Sequence, residues 1–206
     1  MTLDIRWLAP AAIIALAATP AVAKQYMSEA QARALIFPQA QEFIAAPVAL
    51  NAEQVRRLER QSRVKVRSPN QQVWKVQAAG TLLGWFILDQ VIGKHELITY
   101  AVGINTDGSL RQFQIIEYKE AWGSQVRDLK WRDQFVGKTI ADRLEVGNDI
   151  GNLSGGTMSA NHVTDGIKRL LTKIHLDGSV ETTFYNTVNP VSRTNELGQI
   201  ITDDRH

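Results

Sequence analysis

Apolar and polar positions alternate with different periods along the chain, and those periods predict its elements. Ser28-Glu29 opens a helix that runs through Ile36, with Ala32, Leu35 and Ile36 as its apolar side and Pro38 beyond its end. Asn51 caps a second helix over 52–61, with Val55 and Leu58 turned inward. After the turn Ser68-Pro69-Asn70 the period falls to two. Val73, Trp74 and Val76 start a strand, Gly80 breaks it, and 82–91 is apolar enough for a strand buried on both faces. From 95 to 104 the alternation places Ile98, Tyr100, Val102 and Ile104 on one face. Asn105-Thr106-Asp107-Gly108 is a hairpin turn, and 110–118 returns with Phe113 and Ile115 opposed to Gln112 and Gln114.

Helical spacing then resumes. The stretch 125–135 predicts a helix with Val126, Leu129, Trp131 and Phe135 on its apolar side and Gly137 at its end. One more strand is expected over 140–146, then a loop rich in Gly, Asn and Asp over 147–156. Val163, Ile167, Leu170, Leu171 and Ile174 form the stripe of a last helix. Gly166 inside it costs about 1 kcal/mol relative to Ala, which a close helix–sheet contact would explain. An edge strand over 180–188 and a polar tail over 189–206 complete the chain. Consecutive strands joined by short turns, followed by helices, predict an α+β fold: an antiparallel sheet with packed helices, N-terminal helices and a C-terminal tail.

Composition narrows the setting. The 206 residues suit one domain with extensions, and 44% apolar with 21% charged residues can build a core. There is no cysteine, which removes disulfides, zinc–thiolate sites and thiol catalysis. Residues 1–23 read as an export signal: Arg6, the apolar run 11–18, and Ala21-Val22-Ala23 as the cleavage pattern, with Lys24 starting the mature chain. The divisions expected are a signal peptide over 1–23, a helical segment over 24–67, the main domain over 68–176 and an extension over 177–206. The protein is expected in the periplasm or otherwise exported, soluble after cleavage or associated with a membrane. A net charge of +2 leaves no nucleic-acid footprint. Arg56, Arg57, Arg60, Arg63, Lys65 and Arg67 cluster, diluted by Glu53 and Glu59, as a solvated helix face or a docking face for an acidic redox partner.

The chemistry is expected at Leu153-Ser154-Gly155-Gly156-Thr157-Met158-Ser159. Two glycines permit a tight turn and close backbone approach, hydroxyls flank them, and a helix follows. A glycine turn ahead of a helix start can receive an anion, because free N–H groups and the positive end of the helix dipole face the loop. The plainer reading is a helix capped by Ser154, Thr157 or Ser159.

Ser154-Gly155-Gly156-Thr157-Met158-Ser159 resembles the Ser/Thr-Gly-Ala-Thr-x-Ser signature of FMN-binding domains, such as the FMN-carrying subunits of the sodium-pumping quinone reductase and of the Rnf complex. The resemblance extends through Gly84-Trp85-Phe86, Ile92-Gly93-Lys94-His95-Glu96, Tyr100-Ala101-Val102-Gly103-Ile104, Asp107-Gly108 and Trp131…Gln134-Phe135-Val136-Gly137-Lys138, over roughly 72 to 173. It implies an FMN-binding-domain fold and FMN held covalently through its phosphate on Thr157. It also implies a flavin transferase that installs the group from FAD, and an unidentified redox partner, a membrane protein being one candidate. Ser154, Gly155, Gly156, Met158 and Ser159 would line the attachment point. Glu120-Ala121-Trp122-Gly123 matches the Glu-x-x-Gly segment of such domains, so Tyr118, Glu120, Trp122, Gly123 and Ser124 are candidates for the flavin slot, with Lys94 and His95 facing the sheet edge or the flavin. The family usually has Asp six residues before the threonine and Ala just before it; here these are Gly151 and Gly156, and Asp149 lies two residues earlier.

Other chemistries find no support. The four histidines lack metal-ligand spacing, no Gly-x-Ser-x-Gly elbow is present, and no Lys follows the glycines as a P-loop requires. Two functions stay open: an exported flavoprotein that transfers electrons, alone or as a subunit of an oxidoreductase, and a flavin-free ligand-binding or accessory module of the same fold.

Overall fold

The computed structural model describes residues 24–119, 123–176, 193–194 and 200–201. The expected signal peptide, Glu120 and Trp122, and the edge strand over 180–188 lie outside them. The chain forms β1 (Lys24–Gln25), α1 (Glu29–Ile36), β2 (Glu42–Ala45), β3 (Val48–Ala49), α2 (Ala52–Ser62), β4 (Asn70–Ala78), β5 (Thr81–Ile92), β6 (Leu97–Asn105), β7 (Leu110–Tyr118), α3 (Leu129–Arg132), α4 (Thr157–Leu176), β8 (Arg193–Thr194) and β9 (Ile200–Ile201). One antiparallel sheet runs β1-β7-β6-β5-β4-β2, with β3 also on β4; β8 and β9 pair separately. The fold is α+β, as the period changes predict. Among the described residues no helix is long and apolar enough to cross a membrane.

The local signals explain the boundaries. Ser28 and Asn51 each build a capping box, with Gln31 and Gln54 reaching back to the cap amides. Ala79 and Gly80 both take positive φ, which closes the two-residue β4–β5 hairpin with the twist the strands need.

The sheet carries a layer on each face. On one, Trp85, Ile87, Tyr100, Val102, Phe113 and Ile115 meet the α4 stripe of Val163, Ile167, Leu170, Leu171 and Ile174. On the other, Val76, Phe86, Ala101 and Ile116 meet Ala32, Ile36 and Phe37 of α1 and the turn after it. A strand sandwiched this way is apolar at nearly every position, which is why β5 shows no alternation. Gly166 sits where α4 crosses β5 and β6. A Cβ there would lie 2.1 Å from Tyr100 Oη and 2.9 Å from Val91 Cγ1, so the close helix–sheet contact exists.

Three expectations are corrected. The helix over 125–135 is broken into a 3-10 turn (Ser124–Arg127), the single-turn α3 and a second 3-10 turn (Asp133–Phe135). Asp128 breaks it with an extended backbone while its side chain caps α3 through the amide of Lys130. Its anchors Val126, Trp131 and Phe135 are buried, whereas Leu129 is 57% exposed, as is Leu35 at 53% on the outer side of α1. No strand forms over 140–146; only an isolated bridge joins Val146 to Ile150. That segment is held by charge instead. Lys138 Nζ lies 3.2 Å from Asp142 and 3.1 Å from Asp149, and Asp149 also accepts from the amides of Leu144 and Glu145 at 3.1 and 2.9 Å. The clasp holds Leu144 buried at a positive φ.

Candidate functional site

Four pieces of chain meet at one end of the sheet: the end of β7, the 123–127 turn, the β5–β6 hairpin and the start of α4. Gly156 immediately precedes α4, and its carbonyl accepts the helix's first hydrogen bond from Ala160 at 2.9 Å. Thr157 is therefore the first helical residue. Gly155 has a φ of +77°, which a side chain would strain. Among the described residues no acceptor is present for the amides of Thr157, Met158 and Ser159. Helix starts leave such donors free, and here they come with the positive end of a twenty-residue helix.

The hydroxyls at the turn differ in their surroundings. Thr157 is exposed, and Oγ1 makes only long contacts, 3.3 Å to Asn152 Oδ1 and 3.4 Å to the Leu153 carbonyl. Ser154 and Met158 are exposed beside it. Ser159 is buried, with Oγ 2.9 Å from Tyr118 Oη. The sequence motif thus divides into an outward hydroxyl at Thr157 and an inward one at Ser159. Tyr118, buried behind the turn, braces it from the sheet.

Gly123 and Gly156 lie back to back. A Cβ on Gly123 would approach Tyr118 Oη to 2.6 Å and Ser159 Oγ to 3.0 Å; one on Gly156 would lie 3.2 Å from Gly123 Cα. This contact brings the 123–127 turn to the start of α4, and it exposes Ser124 and Gln125 next to Gly155. Glu120 and Trp122, expected in the same slot, lie outside the described residues. Lys94 and His95 are exposed on the β5–β6 hairpin. That hairpin is fastened to α4 by His162, whose Nδ1 donates to the carbonyls of Ile92 at 2.5 Å and Gly93 at 3.0 Å. Both partners are carbonyls, so the proton is on Nδ1.

Sequence reasoning missed the residues that fix the loop before the turn. Trp131 Nε1 donates to the Gly151 carbonyl at 2.8 Å, and the Gly151 amide donates to Gln134 Oε1 at 2.7 Å. Nothing local in the sequence connects positions so far apart. It also missed a buried polar cluster on the α4 side of the sheet. Arg169 Nη2 lies 2.5 Å from Asp89 Oδ2, which also accepts the hydroxyl of Tyr100. Burial, then the Asp89 charge, push the Tyr100 phenol well above its ordinary range, so it is a fixed donor. Among the described residues no group of three or more His, Asp or Glu side chains is placed to hold a metal.

The arrangement presents the exposed hydroxyls of Ser154 and Thr157, free amides and a helix dipole to an anion, with Gly123 and Gly156 packed against each other behind them. Comparison with known proteins addresses the same segment. The crystal structure of Shewanella oneidensis NqrC is 16% identical, with 70% of this chain and 87% of that chain covered at a TM-score of 0.46. No curated protein matches the chain. Residues 93–172, from the β5–β6 hairpin through most of α4, match the model of the FMN-binding domain family. Over residues 93–172 the chain therefore matches the FMN-binding domain family.

Proposed function

We propose that the chain is an exported flavoprotein that carries FMN on Thr157 through a phosphoester and passes electrons to and from protein partners. The observation that carries this reading is the exposed Thr157 hydroxyl at the first position of α4, beside amides with no acceptor among the described residues. Attachment exchanges the hydroxyl proton for the phosphoryl group of FMN, with AMP leaving when a transferase uses FAD as donor. The amides of Thr157, Met158 and Ser159 would then receive the phosphate oxygens. Gly123 and Gly156, buried against each other, set the backbone of the turn, and Met158 and Ser124 are exposed beside it. FMN, when bound, supplies the redox chemistry; the protein fixes its phosphate and the polarity around its ring. Ala21-Val22-Ala23 supports export, with a mature chain starting at Lys24, the first residue of β1.

One observation favours a second reading, a flavin-free binding module of the same fold. The position where the family usually has Asp is Gly151, whose amide is already held by Gln134. Co-expression with a flavin transferase and mass spectrometry of the tryptic peptide over 144–168 decide between them. Flavin mass on Thr157, lost in Thr157→Ala and partly kept in Thr157→Ser, supports the first. Flavin on Ser154 or Ser159, or undiminished flavin in Thr157→Ala, defeats the attachment site, and no flavin on any variant supports the second. Export is checked by N-terminal sequencing of the periplasmic protein, which should begin at Lys24.

A further inference from the structure

The basic cluster of the sequence is shaped into a trough. Three depressions follow one another along the molecule. The first, about 400 Å³, lies against the end of α2 and is bordered by Arg56, Arg60, Arg63 and Lys65. The second, about 240 Å³, shares Arg63 and Lys65 with it and runs between the 63–67 segment and α4. The third, about 250 Å³, shares Arg67 and Arg169 with the second and ends over β4 and β5.

The charges are unequal in a way that leaves the trough positive. Glu59 is taken by Lys65 at 3.4 Å, and Asp89 by Arg169 and Tyr100. Asp165, which borders the second depression, is held above its ordinary range by burial, and this single carboxylate is outnumbered there by Arg63, Lys65 and Arg67. Arg56, Arg60, Arg63 and Arg67 are exposed and make no ion pair among the described residues. The buried Arg169, its side chain 8% exposed, is fixed by Asp89 in the wall of the second and third depressions, so the net positive charge there comes from the exposed arginines.

We infer that this trough is a docking site for an extended, carboxylate-rich segment of a partner protein. Its length decides against a small anion, which would fill one depression and leave the other arginines unmatched. Its concavity decides against a lipid surface, because a flat bilayer cannot reach Arg169 and no exposed large apolar side chain rims the trough for insertion. Planar guanidinium groups spaced along a groove suit successive carboxylates, each able to accept two parallel hydrogen bonds. The trough stands beside the candidate site in either reading of the cofactor. His162 borders the second depression and lies five residues along α4 from Thr157, about 7.5 Å of helix rise. A partner seated here would be held beside the candidate site, and association would be steered by charge.

The test uses the full chain and a fluorescent oligoglutamate peptide, with an oligoglutamine peptide and phosphatidylglycerol vesicles as the other arms, read by anisotropy and co-sedimentation. The oligoglutamate peptide should bind saturably and the oligoglutamine peptide should not. Arg60→Glu with Arg67→Glu should weaken peptide binding by about tenfold or more, while Lys75→Glu with Lys130→Glu, equal in net charge change and on exposed positions elsewhere, should alter it little. Arg60→Gln with Arg67→Gln should fall between. Equal losses in the two reversed variants would reduce the effect to overall charge and overturn the trough. So would absence of saturable peptide binding, or vesicle binding that depends on Arg60 and Arg67 while peptide binding does not. Flavin attachment at Thr157 is read separately by mass, so either idea can fail without the other.

Discussion

The Tyr118 phenol and the Ser159 hydroxyl meet 2.9 Å apart in a buried position, joining the last strand of the sheet to the first turn of α4. The bond sets how far the helix start stands from the sheet, and so where Thr157 points. Tyr118→Phe leaves Ser159 without this partner and should lower stability by about 1 kcal/mol. Under the attachment proposed at Thr157, bound flavin should drop without vanishing, because the Thr157 hydroxyl is untouched. Urea denaturation and intact mass measure the two effects. Unchanged stability would show that the pair holds nothing.

Gly166 tests which of two opposed effects wins. Alanine in a helix interior is favoured over glycine by about 1 kcal/mol. At this position the added methyl would meet Tyr100 Oη at 2.1 Å. That oxygen cannot retreat freely, since it is bound to Asp89, which also holds Arg169. Overpacking of this kind costs about 1–3 kcal/mol, so Gly166→Ala should be net destabilising. Gly166→Ala combined with Tyr100→Phe should recover part of the loss, as seen in thermal melts. A stabilised Gly166→Ala would mean that α4 stands further from the sheet than described.

These two positions also show how far the sequence could be read. Period-two alternation located β6 and β7, and the stripe from Val163 to Ile174 located α4, because each repeats one local rule against one core. The Gly–Gly–Thr turn was legible for the same reason: its glycines and hydroxyls act within a few residues. The segments over 125–135 and 140–146 misled because their stability comes from outside them. Arg132 donates to the Phe113 carbonyl and to Gln114 Oε1, both at 2.7 Å, and the 140–146 segment depends on Lys138 and Asp149. Likewise Gly151 is held by Trp131 and Gln134, and Asp89 meets Arg169 eighty residues away. Contacts between distant polar residues leave no periodic trace.

The clasp around Lys138 predicts a dependence on acid. Burial alone would raise Asp149, but the Glu145 amide, the Lys138 ammonium and the Leu144 amide outweigh it and hold the carboxyl below its ordinary 3.8. Asp142 is lowered in the same way, burial being outweighed by the Thr139 amide and Lys138. A lowered folded value means stability that is fully present above the unfolded value and is lost as pH falls through the folded one. The loop before Thr157 should therefore loosen as pH drops below 3.8. Asp149→Asn should be less stable than wild type at pH 7, and the difference should shrink in acid, where the wild-type carboxyl is protonated too. Urea midpoints across this range check it; a constant difference would remove the charge from the explanation.

The last prediction concerns the two glycines that stand where related FMN-binding domains have Asp and Ala. Sequence logic alone would restore both and expect more flavin. The structure separates them. At Gly156 an added Cβ would lie 3.2 Å from Gly123 Cα, a backbone atom that cannot turn aside. Gly156→Ala should push the 123–127 turn away from α4 and lower stability by about 1 kcal/mol or more, with no gain in occupancy. At Gly151 the Cβ would meet Gln134 Oε1 at 2.9 Å, the end of a flexible side chain. Gln134 can swing out, though it then gives up its bond to the Gly151 amide, and an aspartate carboxylate can stand near the positive start of α4. Gly151→Asp alone should raise the fraction of chain carrying flavin after co-expression with a transferase, and Gly151→Asp with Gly156→Ala should carry no more than the single variant. Intact mass gives the occupancy and thermal melts give the cost. Higher occupancy in the double variant than in Gly151→Asp would show that the Gly123–Gly156 contact is not what sets the geometry of Thr157.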